Sequence, residues 1–140
     1  MLGNMFMNIL EIKEDGTRQW HNEKGDLHRE EGPAVECING GKFWFWNGNR
    51  HRIDGPAMEC TNEYRAWFLE GKLHRIGGPA VEYRDGTKLW YENDKLHRVN
   101  GPAVEKSNGS REWWLNNVPT NLTIWGLQPD QWEIYNDTNT

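Results

Sequence analysis

The chain has almost no cysteine: Cys37 and Cys60 are the two thiols among 140 residues. A small secreted scaffold held by disulfides would carry many more. Basic charge is also in short supply, with 16 Lys and Arg against 21 Asp and Glu and a net charge of -5. That balance disfavours duplex nucleic acid and anionic membrane surfaces as partners, because both attract a net basic footprint. Long apolar runs are missing, so no segment is suited to crossing a bilayer. Residues 1–7 lack the charged start and apolar stretch of a signal peptide, and the expected location is the cytoplasm. The sequons at Asn108, Asn121 and Asn136 are then not expected to be glycosylated. Neither a Ser-His-Asp set nor a Gly-rich phosphate loop stands out, and the chain is not expected to be an enzyme.

Aliphatic residues are few as well, with 36% apolar content and a mean hydropathy of -0.95. Such a composition would suggest disorder if nine Trp were not present. Many Trp with few Leu and Ile suit a thin sheet with two half-wet faces better than a thick core.

One phrase recurs four times: Leu27-His28-Arg29-Glu30-Glu31-Gly32-Pro33-Ala34-Val35-Glu36, then residues 50–59, 73–82 and 96–105. His28, His51, His74 and His97 stand 23 residues apart. A fixed period of this length marks one supersecondary unit copied and stacked, each copy burying apolar surface against its neighbours. Within a copy, Asp85-Gly86 turns the chain, residues 88–92 return as a strand, and Asn93-Asp94 turns it again. Asn47-Gly48, Glu70-Gly71 and Asn116-Asn117 fill the second turn elsewhere. If that turn has two residues, Trp90 lies opposite His97 and Tyr91 opposite Leu96. At Asp85-Gly86 two registers stay open: Val81 opposite Trp90, or, with a bulge, Glu82 opposite Lys88.

The expected fold is therefore all-β: an elongated, single-layer, twisted antiparallel meander of about five stacked β-hairpin repeats. One repeat domain covers residues 1–140, with an N-terminal capping half-repeat (1–26), four repeats of which the last is incomplete (27–118) and a C-terminal cap (119–140). Residues 7–12 read as the first strand. In the cap, residues 128–135 could form a short helix with Pro129 at its first position.

Phe68-Leu69-Glu70-Gly71-Lys72-Leu73-His74, with Asp85-Gly86 following, resembles the MORN repeat, an aromatic followed by Gly-Lys-x-His at a similar period. The copies are still more similar to the Leu-His-Arg-x-x-Gly-Pro-Ala repeats of bacteriophage and bacterial proteins. The resemblance covers about residues 15–117, with Arg29, Arg52, Arg75 and Arg98 standing where the MORN pattern has Gly. It implies an elongated antiparallel sheet used mainly for protein contacts.

Four matching His-Arg pairs read as a structural ladder, Arg pairing with a repeat Glu and His packing on Trp, since a catalytic site needs one asymmetric constellation. Successive His are about 10 Å apart by strand spacing, too far to share an ion whose ligands lie about 2 Å away, so neither metal nor cofactor is expected. The same spacing between Cys37 and Cys60 exceeds the roughly 7 Å that a disulfide bridges, and both should be free. The Trp series 20, 44, 67, 90 and 113 is flanked by the cations Arg18, Lys42, Arg65, Lys88 and Arg111. Aromatics beside cations suit a partner's side chains or a stacked base. The candidate binding residues are Arg52, Arg75, Trp67, Trp90, His74, Trp44 and Lys88. The favoured function is a non-enzymatic scaffold that docks a protein partner, such as a phage-encoded inhibitor of a host or defence protein, or an antitoxin-like inhibitor. The rival is capture of a small anionic ligand such as a signalling nucleotide between Trp and Arg. Self-association through a sheet edge is a further expectation.

Overall fold

Two kinds of turn recur along the chain, the first replaced at Thr61-Asn62-Glu63 by a turn with Asn62 at φ +64°. In the first, a carboxyl or amide side chain accepts the backbone N–H two residues on: Asp15 from Thr17 (2.9 Å), Asn39 from Gly41 (2.9 Å), Asp85 from Thr87 (2.8 Å) and Asn108 from Ser110 (2.9 Å). Glycine follows in each, with φ of +88°, +92°, +94° and +89° at Gly16, Gly40, Gly86 and Gly109. The Thr87 N–H holds the Asp85 carboxyl below the usual Asp range. In the second turn both central residues are left-handed: Asn47 and Gly48 (+46°, +85°), Glu70 and Gly71 (+50°, +83°), Asn93 and Asp94 (+50°, +66°), Asn116 and Asn117 (+48°, +66°). That is the type I′ geometry whose twist matches antiparallel strands, and it explains the Asn and Gly at these places.

The computed structural model describes residues 8–120, which fall into two units divided between Lys72 and Leu73. Among the described residues there is no helix, and every pairing is antiparallel. The first unit is a meander in chain order of Ile9–Ile12, Arg18–His21, Val35–Glu36, Lys42–Phe43, Met58–Cys60 and Tyr64–Ala66. The second runs Val81–Tyr83, Lys88–Leu89, Val104–Glu105, Arg111–Leu115 and Val118–Thr120. The all-β hairpin meander expected from the repeat is what the chain adopts. The helical reading of residues 128–135 falls outside the described residues.

The register at Asp85-Gly86 is the bulged one: Glu82 faces Lys88 and Val81 faces Leu89. Tyr91 faces Leu96 as the two-residue turn requires, and the His97 N–H donates to the Trp90 carbonyl at 3.1 Å. The return strand expected over residues 88–92 is broken at Trp90, between Lys88–Leu89 and Tyr91–Glu92. The cause is a change of partner. Lys88 and Leu89 pair with Glu105 and Val104 in the main meander, whereas Tyr91 and Glu92 pair with Leu96 and Lys95 in a separate short hairpin. The Trp90 N–H still reaches the Ala103 carbonyl (2.8 Å), so Trp90 is where the chain passes from one ladder to the other. Trp44 occupies the same break between Lys42–Phe43 and Phe45–Trp46.

The core is thin, as the composition required. Ala34, Ala57, Ala80 and Ala103 are each 0% exposed, joined by Val35, Val81 and Val104 of the same phrase and by Ala66, Phe68 and Leu115. The Ala34 N–H donates to the Phe43 carbonyl and the Ala80 N–H to the Leu89 carbonyl, both at 2.8 Å. In each unit the small alanine side chain suits a layer with little room between neighbours.

Candidate functional site

Each repeat Arg folds back over its own loop. The Arg52 Nη1 donates to the Pro56 carbonyl (3.1 Å) and to Glu59 Oε1 (3.2 Å), and the guanidinium carbon lies 3.9 Å from the centroid of Trp44. Arg98 does the same with Pro102 (3.0 Å), Glu105 (3.2 Å) and Trp90 (3.9 Å). Arg29 matches with Pro33 (3.1 Å), Glu36 (3.3 Å) and Trp20 (3.8 Å). Arg75 donates to Pro79 (3.0 Å) and Glu82 (3.2 Å). A guanidinium is suited to this, presenting a donor fork at its rim and a flat, weakly hydrated face to an indole.

The Gly before Pro belongs to the same latch. A Cβ on Gly55 would sit 2.8 Å from the Arg52 Cζ; the corresponding distances are 2.9 Å at Gly78 and 2.8 Å at Gly101. In these three copies glycine lets the guanidinium lie flat, whereas at Gly32 the Arg29 Cζ would be 3.5 Å away, an ordinary contact.

The four His use Nδ1 as an acceptor. Backbone N–H groups of the next short hairpin donate to them: Asn47 to His28 (3.0 Å), Glu70 to His51 (2.9 Å), Asn93 to His74 (3.2 Å) and Asn116 to His97 (3.1 Å). The neighbouring turn N–H groups reach the preceding hairpin too, Gly48 to the Leu27 carbonyl and Asp94 to the Leu73 carbonyl, both at 2.9 Å. His therefore joins one hairpin to the next, and the indole stacked in the Trp20, Trp44 and Trp90 positions faces Arg rather than His. His28 is the most enclosed, 4% exposed, with its ring 4.4 Å from that of Trp46. His28→Leu should lower stability by about 1–3 kcal/mol in urea unfolding, because the Asn47 N–H loses its acceptor. His28→Asn, which can place an amide oxygen near the Nδ1 position, should cost clearly less. Equal losses would show that Nδ1 is not what matters.

The cation column is answered across the strands. Glu36 faces Arg18 and Lys42, Glu59 faces Lys42 and Arg65, and in the second unit Glu105 faces Lys88 and Arg111. Opposite charges directly across a ladder are mutually stabilising. The Arg65 guanidinium also lies 5.8 Å from the Trp67 ring centroid. Of the residues singled out in the sequence, Arg52 and Trp44 thus meet in the first unit, which also holds Trp67. Trp90, Lys88, Arg75 and His74 belong to the second, and each has a partner inside the fold.

No family model, curated protein or solved structure matches this chain.

Among the described residues no group of three or more His, Cys, Asp or Glu could hold a metal ion, and no helix is long and apolar enough to cross a membrane. Cys37 and Cys60 are free, and burial, with the Asp15 carboxylate nearby, pushes the Cys37 thiol up. Burial likewise raises the Tyr91 phenol.

The first unit also carries an open concavity. A groove of about 710 Å³ is lined by the loops that follow His28 and His51, with Trp44 and Trp46 among its walls. Ile53, 85% exposed, and Trp46, 45% exposed, lie along it. Neither was singled out from the sequence: Trp46 stands where later copies have Leu69, Glu92 and Leu115, while Ile53 keeps the aliphatic of Ile76 and Val99 and differs only from Glu30 of the first copy.

Proposed function

We propose that the chain is a non-enzymatic docking scaffold for a protein partner in the cytoplasm. The observation that carries this reading is the exposure of Ile53 and Trp46 along an open groove, while the repeated Arg and His are engaged inside the fold. Exposed aliphatic and indole side chains in one concavity are what a partner's side chains cover. An anionic small ligand is the less favoured occupant, because the guanidinium groups of Arg29, Arg52 and Arg98 each already face a carboxylate and an indole. The similarity to phage repeats extends the reading to an inhibitor of a host or defence protein.

The test is capture of a partner from host lysate, identified by mass spectrometry and re-measured with purified components. Ile53→Asp should weaken that complex at least about tenfold with an unchanged melting temperature, since a charge would be placed where an apolar contact forms. Full affinity in Ile53→Asp, or nucleotide absorbance co-purifying with the chain, would contradict the reading.

A further inference from the structure

Trp46 stands between two hollows of the first unit. On one side lies the groove with Trp44 and Ile53, whose rim carries Glu30, Glu31 and Asp54. On the other lies a recess of about 560 Å³ that includes His28, Glu23 and Asp26. Trp46 and Glu30 border both.

The charges of this region do not cancel. Arg29 and Arg52 line the groove, but Arg29 is paired with Glu36 at 3.3 Å, and Arg52 with Glu59 at 3.2 Å and Asp54 at 3.1 Å. That leaves Glu30, Glu31, Glu23 and Asp26 against Lys24. Among the described residues Glu31 has no ion pair, and Glu30 approaches only the His28 Nε2, at 4.0 Å. A half-exposed indole with carboxylates around it offers a cation both a π-face and counter-charges, while Ile53 offers an apolar contact beside it.

We propose that this groove takes an extended basic segment of the protein partner, with a Lys or Arg side chain set over Trp46 between Glu30 and Glu31 and an apolar neighbour against Ile53. The inference rests on the docking reading above and adds the chemistry of the occupant. Charge complementarity selects it: an acidic segment would meet the carboxylates of Glu30 and Glu31 in the groove, with Glu23 and Asp26 in the adjoining recess, and a purely apolar one would leave Glu30 and Glu31 facing it unpaired.

The experiment is a fluorescence anisotropy titration with a labelled peptide of alternating Lys and Leu, and a Glu and Leu peptide as control. The Lys peptide should bind and the Glu peptide should not, and added salt should weaken binding. Trp46→Ala and the double change Glu30→Gln, Glu31→Gln should each weaken binding about tenfold. The second variant keeps the test intact if loss of the indole disturbs His28. Unchanged binding in both variants, equal binding of the Glu peptide, or displacement of the peptide by spermine at equal concentration would overturn the proposal. If no basic peptide binds but a purified partner is still released by Ile53→Asp, the basic segment is wrong and the docking reading stands. If neither holds, both fall.

Discussion

Gly55→Val should lower the melting temperature by about 5–10 °C, corresponding to about 2–3 kcal/mol. The reason is not a special backbone angle, since Gly55 lies outside the left-handed region that distinguishes Gly16 or Gly48. The new side chain would begin 2.8 Å from the Arg52 Cζ, 3.1 Å from Nε and 3.1 Å from Nη1. A free Arg would swing aside at little cost. This one would surrender its bonds to the Pro56 carbonyl and Glu59, and its place over Trp44. Charge-assisted hydrogen bonds contribute about 1.5–3 kcal/mol each when enclosed, and partial exposure here brings the sum toward the lower end. Asn108→Ala, in a late turn where only an exposed side-chain bond to the Ser110 N–H is lost, should cost much less in the same thermal scan.

Ala80→Leu should be comparably damaging, at about 2–3 kcal/mol. Ala80 is 0% exposed, and its N–H is held to the Leu89 carbonyl at 2.8 Å, so the backbone cannot retreat without opening the ladder. Three added carbons would have to displace neighbours in a layer whose next members are Val81 and Val104. Ile76→Ala is the matched control in the same unit: with Ile76 83% exposed, its removal should stay within about 0.5 kcal/mol. Urea unfolding of both variants measures the difference.

Much of the fold was legible in the sequence because turn chemistry is local. Asn47-Gly48 and Asn93-Asp94 accept positive φ, and a two-residue turn fixes Tyr91 against Leu96. The pairing of Arg with the repeat Glu was also within reach, since Arg75 and Glu82 flank one loop. The bulged register was not, because Asp85-Gly86 is compatible with either alignment until Thr87 and Tyr83 exchange their bond. Nor was the break at Trp90, which depends on two different strands competing for one return segment. The stack of Arg52 on Trp44 joins a residue of the phrase to one outside it, so its geometry follows from register and not from spacing within the phrase. The role of His turned on which ring nitrogen faces a neighbouring N–H, something residue identity does not specify. Of the groove the sequence offered one sign, Trp46 in place of Leu69, Glu92 and Leu115, whereas Ile53 recurs as Ile76 and Val99 and carried no signal.

The Arg of the repeated phrase latches over the Gly before Pro, and a double-mutant cycle between Arg52→Ala and Gly55→Ala measures that contact. Alanine is compatible with the Gly55 backbone, so its cost arises only from the approach of the guanidinium. Gly55→Ala should therefore destabilise the wild-type chain by about 1–2 kcal/mol and become nearly neutral once Arg52 is Ala, leaving a coupling of similar size between the two sites. An equal cost of Gly55→Ala in both backgrounds would contradict the latch.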